Sequence, residues 1–268
     1  EEILADDTAP TVAFVFKSLG LSADEGGAAG GPHAPYYQSE RTALYEAAFA
    51  RLAEKNLLYP CFCSRNELHA ASAPHLADGQ VLYAGACRNL TPAEIAEKSK
   101  TRRPAWRVKV PDETIAFMDR HLGAQRQNLA HECGDFILRR SDGVFAYQLA
   151  VVVDDAAMGV TEVVRGQDLL SSTARQIWLY RELGLPAPAF AHAPLLLASD
   201  GRRLSKRDGD VSLEQLQQRY TPEQIIGKLG WLCGLQPAPD ARRPEELIEG
   251  FSWEKVPRGD ICIPEGVF

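Results

Sequence analysis

Gly201-Arg-Arg-Leu-Ser-Lys-Arg-Asp-Gly209 sets four cations between two glycines. The apolar run Ala193-Pro-Leu-Leu-Leu-Ala198 leads into it, and the helix-patterned Ser212-Leu-Glu-Gln-Leu-Gln-Gln-Arg219 follows. A short basic loop after a buried strand is where an open α/β sheet puts its ligand chemistry. Lysine and arginine there suit phosphate oxygens, one as a point charge and the other as a planar fork. A basic turn can equally be a solvated surface feature. The neighbouring segments therefore decide the reading.

Upstream, Asp135-Phe-Ile-Leu-Arg139 reads as a strand and Ser141-Asp-Gly143 as a turn. Phe145 to Val153 follows. Its β-branched Val151–Val153 favours a strand, although a run this short also suits a buried helix. Val160 to Gly166 is a further strand ending on Arg165, and Ser171 to Leu183 carries a helical stripe closed by Gly184. Strands alternating with helices predict an α/β fold with a parallel sheet and right-handed crossovers.

Nearer the start, residues 8–21 read as a helix closed by Gly20, and the glycine- and proline-rich stretch 24–35 reads as a loop. A helix is expected from Ser39 onward, with Ser39 as its cap, and Tyr59-Pro-Cys-Phe-Cys63 looks extended. Thr91-Pro-Ala-Glu94 has the form of a capping box, and Ala105 to Val110 alternates like a half-exposed strand. Toward the end, Thr221-Pro-Glu-Gln opens a helix carrying Ile225, Ile226, Leu229 and Leu232.

Cys61-x-Cys63 and Tyr83-x-x-x-Cys87 form a second informative stretch. Close cysteine pairs let one turn supply two zinc ligands. Three thiols leave a fourth ligand open, with His69, His75 and Tyr83 available and histidine favoured by metal chemistry. Three reduced cysteines without metal are the alternative. Cys133, Cys233 and Cys262 stand apart and read as small buried apolar residues.

The chain of 268 residues carries a net charge of −7, so a nucleic-acid partner would have to meet a local basic patch. No apolar run approaches the roughly 20 residues that cross a bilayer, and the acidic Glu1-Glu2-Ile3-Leu4-Ala5-Asp6-Asp7 is unlike a signal peptide. A cytoplasmic location is expected.

Six segments now occur in a telling order: Gln38-Ser-Glu-Arg41, Pro60-Cys-Phe-Cys-Ser-Arg65, Gly134 to Arg140, Phe145 to Asp155, Gly159 to Gly166, and the basic loop. Together they resemble the glutamyl-tRNA synthetase family of class I enzymes, most nearly its short glutamyl-Q tRNA(Asp) branch, which lacks an anticodon-binding domain. In that likeness Arg203-Leu-Ser-Lys-Arg207 is similar to the KMSKS signature. The resemblance implies a Rossmann-like sheet with a small zinc-binding insertion and a short C-terminal helical subdomain. The units would be residues 1–60, 61–103, 104–200 and 201–268. It implies that Tyr147 and Arg165 hold L-glutamate and that Lys206, with Ser205, steadies ATP phosphate. It moves the fourth zinc ligand to Tyr83, beside Cys61, Cys63 and Cys87.

The implied substrates are L-glutamate, ATP with Mg²⁺, and tRNA(Asp) carrying queuosine, and a monomer is expected. Neither His33-Ala-Pro nor His192-Ala-Pro matches the family's HIGH-type motif. That motif and the first strand would fall ahead of residue 1, which makes full activity of this stretch alone an open expectation. The alternatives are a fragment of an ordinary glutamyl-tRNA synthetase and a non-catalytic, zinc-containing tRNA-binding relative.

Overall fold

The computed structural model describes residues 17–26, 30–64, 67, 82–204 and 212–268. A one-turn helix Gln38–Glu40 leads into α1 (Thr42–Glu54), then β1 (Leu58–Cys61), α2 (Pro92–Thr101) and β2 (Ala105–Val108). The hairpin β3 (Thr114–Asp119) and β4 (Gly123–Asn128) follows, then α3 (Leu129–Glu132), β5 (Phe136–Arg139), α4 (Tyr147–Ala157) and β6 (Glu162–Gly166). Next come α5 (Leu170–Leu183), β7 (Ala189–Ala193), β8 (Leu196–Leu197), α6 (Leu213–Gln217), α7 (Pro222–Leu232), α8 (Pro244–Ile248) and β9 (Ile261–Cys262).

The expected parallel sheet is present only in part. Strands β6 and β7 pair in parallel from Glu162↔Ala189 to Gly166↔Ala193, and α5 makes the crossover between them. β3 joins β7 in parallel at Asp119↔Phe190, but β3 and β4 are antiparallel, so this four-stranded sheet is mixed. A separate antiparallel sheet runs β1-β2-β5. Neither pairing is a tight hairpin: residues 62–104, with α2, separate β1 from β2, and the β3-β4 hairpin and α3 separate β2 from β5.

Val151–Val153 lies in helix α4 rather than in a strand. The β-branched run is overruled by an apolar face that buries Leu149, Ala150, Val152 and Val153 against α1 and α5. That core also contains Leu52, Trp178, Leu179 and Leu183. Helix α5 stops at Gly184, whose φ of 62° is left-handed and favours a residue with no Cβ. The boxes at Thr91 and Thr221 both form, each side-chain oxygen accepting from the amide three residues on, that of Glu94 or Gln224. Ser39 is not the cap of α1, because the one-turn helix 38–40 intervenes and Arg41 takes the boundary.

Arg41 and α4 are locked together. The Arg41 Nε donates to Asp154 at 2.6 Å, the Tyr45 hydroxyl donates at 2.9 Å and Gln38 Nε2 at 3.1 Å. This clamp fixes the register of α4 against α1, and with it everything that α4 presents to the sheet. Cys133 is buried as expected, but Cys262 is exposed on β9. Most of the stretch 8–21 lies outside the described residues, as do His69 and His75.

Candidate active site

Arg165 is the penultimate residue of β6, at the carboxyl end of the parallel pair. Ligands in open α/β sheets gather at such ends. Tyr147 is the first residue of α4, entered from an extended Ala146. The fold brings the two together. Burial pulls the Arg165 guanidinium below its usual value, and the facing Tyr147, Asp155 and Tyr180 work against that. Tyr147 and Asp155 come from α4 and Tyr180 from α5, so one cation is met by groups from two helices.

The guanidinium is held from its other side. Its Nε donates to His192 Nε2 at 3.1 Å and its Nη2 to Thr173 Oγ1 at 2.8 Å. His192 stands on β7 directly across the ladder from Arg165. Its Nδ1 lies 2.6 Å from Asp119 Oδ2, and side chains of both residues are fully buried. Burial lowers the His192 pKa, so the ring stays neutral at neutral pH. Asp155 is pushed up to about 6 by burial, although the Tyr180 hydroxyl donates to it at 3.2 Å. Sequence reading missed Asp119, Asp155, Thr173 and His192. Their types are ordinary: the register of β3, β6 and β7 joins Asp119 and His192 to Arg165, and the packing of α4 and α5 brings in Asp155 and Thr173.

Beyond Gly166 the strand opens onto a cavity of about 390 Å³ lined by Gln167, Asp168, Leu195 and Arg203, with Phe117 and Gln125 of the hairpin opposite. A Cβ at Gly166 would stand 2.6 Å from Asp168 Oδ1 and 3.2 Å from Leu195 Cδ2, so a side chain there would displace Asp168. The stem of the basic loop borders this cavity. It is closed by the Leu197↔Arg203 bridge and by Ala198 N–H donating to Arg202 at 2.9 Å. Ser205 and Lys206 lie outside the described residues.

The thiol cluster sits on the other sheet. Cys61 ends β1, while Cys63, Tyr83 and Cys87 come from the segments that follow. The Tyr83 Oη lies 3.4 Å from Cys61 Sγ and 3.7 Å from Cys63 Sγ, and Cys63 Sγ lies 3.6 Å from Cys87 Sγ. A tetrahedral zinc bound through sulfur and oxygen separates its ligand atoms by roughly 3.5–3.8 Å. Three of the six edges among the four donors thus lie close to that range, and the three sulfurs lie within 4.8 Å of one another. N–H donors surround them: Arg107 Nε reaches Cys61 Sγ at 3.3 Å and Phe62 N–H reaches Cys87 Sγ at 3.4 Å. Such donors orient and stabilise thiolates. Burial and the neighbouring thiols push Cys63 up to about 12 in the absence of a cation. Burial also works to raise Cys61, but the Tyr83 hydroxyl, the Cys63 amide and Arg107 outweigh it and leave that thiol below its ordinary value.

The mixed sheet with its parallel pair is that of a class I tRNA synthetase catalytic domain, as the family match shows. Residues 7–256 match the family described as tRNA synthetases class I (E and Q), catalytic domain. A protein named glutamyl-Q tRNA(Asp) synthetase from Symbiobacterium thermophilum is 53% identical over 250 residues, covering 92% of this chain and 77% of its own length. Another of that name from Nitratidesulfovibrio vulgaris is 46% identical, covering 93% of this chain and 78% of its own length. The chain belongs to the glutamyl-Q tRNA(Asp) synthetase family. The crystal structure of a glutamate-tRNA synthetase from Elizabethkingia anophelis superposes with a TM-score of 0.79 at 27% identity, covering 96% of this chain. The chain spans 58% of that larger protein's length.

Proposed function

We propose that this chain activates L-glutamate with ATP and Mg²⁺ and transfers the glutamyl group to the queuosine of tRNA(Asp). The observation that carries the reading is the Arg165 guanidinium, buried beside Tyr147 and held from behind by His192 and Thr173. A fixed guanidinium fork suits a carboxylate and gives a neutral amide no charge to pair with. Glutamate would seat its side-chain carboxylate on Arg165 and Tyr147. Its α-carboxylate oxygen would then attack the α-phosphorus of ATP, forming the acyl adenylate as pyrophosphate leaves. Lys206, with Ser205 beside it, would stabilise the charge that develops on phosphate. The cavity next to Gly166 has the size and place for the nucleotide. Asp168 offers it a carboxylate for ribose hydroxyls, and Mg²⁺ would balance the phosphate charge. In the second step a hydroxyl of queuosine would attack the activated carbonyl and AMP would leave.

Cys61, Cys63, Tyr83 and Cys87 would hold a structural Zn²⁺, whose contribution when bound is to pin the insertion to β1. Residues 61–103 leave on β1 and return on β2, which pair antiparallel from Leu58↔Val108 to Cys61↔Ala105. That closure supports treating them as one unit set into the catalytic domain, between 1–60 and 104–200, with 201–268 carrying the loop and the terminal helices. Among the described residues, no helix is long and apolar enough to cross a membrane.

Glutamate-dependent ATP–pyrophosphate exchange by the full chain, followed by transfer to tRNA(Asp) with and without queuosine, tests the proposal. Exchange with glutamate and not glutamine, and transfer only to the queuosine-bearing tRNA, is expected. Transfer to tRNA(Glu) lacking queuosine would point to an ordinary glutamyl enzyme. Zinc-dependent tRNA binding without exchange would point to a non-catalytic role.

A further inference from the structure

Arg165 has an unusual partner for a buried cation. A guanidinium of this kind is commonly neutralised by a carboxylate, yet its Nε here donates to a neutral imidazole, and the carboxylate stands one residue further back. The protonation of this chain of groups follows from its geometry. Asp119 Oδ1 accepts three backbone amides: His121 at 3.0 Å, Leu122 at 2.8 Å and His192 at 3.3 Å. Burial works to raise the Asp119 pKa, but these bonds and His192 outweigh it and keep the carboxyl ionised. An ionised carboxylate only accepts, so the 2.6 Å contact from His192 Nδ1 to Oδ2 must carry its proton on the ring.

The neutral ring therefore presents Nε2 as an acceptor. Arg165 Nε–H and the Thr173 hydroxyl, each 3.1 Å away, share its single lone pair. The Thr173 oxygen in turn accepts from Arg165 Nη2 at 2.8 Å. Every donor in the ring thus meets an acceptor. These bonds, with a further one from Nη2 to the Leu169 carbonyl at 3.4 Å, use Nε and Nη2, so the fork is oriented without Nη1 being drawn to His192, Thr173 or Leu169.

We infer that Asp119 and His192 are positioning residues for glutamate recognition. The ionised Asp119 fixes the His192 tautomer, and the imidazole aims the Arg165 guanidinium without adding to the negative charge that Asp155 already sets near it. A carboxylate in the place of His192 would aim the fork equally well but would compete with glutamate. The inference rests on the reading of Arg165 as the glutamate-binding residue. The groups facing His192 are Asp119 from β3, Arg165 from β6, Thr173 from α5 and the charge of Asp168. An imidazolium would set Nε2–H against Arg165 Nε–H, so protonation of the ring undoes the arrangement.

Asp119→Asn is the sharp test. Three amides on Oδ1 hold the new side chain with its oxygen toward them and its NH₂ toward His192. The ring must then accept at Nδ1 and carry its proton on Nε2, against Arg165. In glutamate-dependent exchange we expect the KM for glutamate to rise about ten- to a hundredfold, the range for a lost hydrogen bond to a charged group. The KM for ATP and the melting temperature should hold, and the ¹⁵N shifts of the His192 ring should report the change of tautomer. His192→Leu should raise the glutamate KM in the same way, and His192→Gln, which keeps an acceptor, should recover most of it. An unchanged glutamate KM in Asp119→Asn with wild-type exchange intact would overturn the inference, as would an equal rise in both KM values. A wild-type His192 ring protonated on Nε2 would overturn it without any activity measurement. Absence of exchange in the wild-type chain would instead overturn the proposed function, with the ring tautomer still deciding the positioning claim. Should Asp119→Asn fail to fold, the two His192 variants decide the matter.

Discussion

The thiol cluster and the Arg165 pocket are both polar groups gathered at strand ends, one on each sheet, and they are solved in opposite ways. In the cluster, Tyr83 lies 3.4 Å from Cys61 and 3.7 Å from Cys63, and Cys63 lies 3.6 Å from Cys87. Its thiols and phenol face one another, so ionising more than one of them sets like charges together. In the pocket every donor faces an acceptor, from Asp119 through His192 to Arg165, and one cation is left looking outward. On the proposed reading a cation would complete the first arrangement, and an anion would meet the second.

Breaking the first region should have the largest effect. Structural zinc supplies on the order of 10 kcal/mol to small sites that fold around it. Cys87→Ser, or a strong chelator, should release about one zinc per chain by metal analysis and lower the melting temperature by several degrees. A chain purified without zinc, equally stable with and without chelator, would remove the metal from this account. The glutamate KM should change little in either case, because α2 and the thiols touch the β1-β2-β5 sheet and not β6 or β7.

Breaking the second region reverses the pattern. Arg165→Gln should leave the melting temperature near that of the wild type while glutamate kcat/KM falls about a hundred- to a thousandfold. That is the range for truncating one partner of a buried charge contact. A fall of less than threefold would mean that the guanidinium does not hold the substrate.

How far each region could be read in advance follows from how local its signal is. Thr91 and Thr221 announce their helices within four residues, and both boxes form. Cys61, Cys63 and Cys87 fall within one short stretch, so convergence is legible, but spacing alone cannot choose the fourth donor. Tyr147 and Arg165 were visible only through likeness to a family, since a tyrosine and a strand-end arginine carry no motif of their own. Asp119 and His192 are separated by 73 positions and meet because β3 and β7 run in parallel. The hairpin was invisible for a different reason. Gly123-Ala-Gln-Arg-Gln-Asn128 has no β-branched residue, and its strand forms because it pairs with Thr114–Asp119 at the sheet edge. Val151–Val153 left strand and buried helix both open, and packing of α4 decided for the helix against the local strand preference.

The smallest effect belongs to the boundary of the pocket, at Asp155, and its sign can be worked out. Burial raises this carboxyl to about 6, well above the ~3.9 of an ordinary aspartate in the unfolded chain. The native state therefore holds the proton more tightly than the unfolded state. Its contribution to stability is complete below about pH 4 and is lost as pH rises through about 6. Above that, α4 carries a half-buried carboxylate beside Asp154, which Arg41 already claims, and only Arg165 and the Tyr180 hydroxyl ease the charge. Asp155→Asn removes that charge while preserving the acceptor for Tyr180. At pH 8 it should stabilise the fold by about 1–2 kcal/mol, less than the full shift would give because the side chain is partly solvated. At pH 4 the gain should vanish. Melting curves of both chains between pH 4 and pH 8 measure this directly, and parallel curves would show that Asp155 ionises without cost. A divergence that grows with pH would mark this edge of the pocket as the place where the fold gives up stability to keep charge around Arg165.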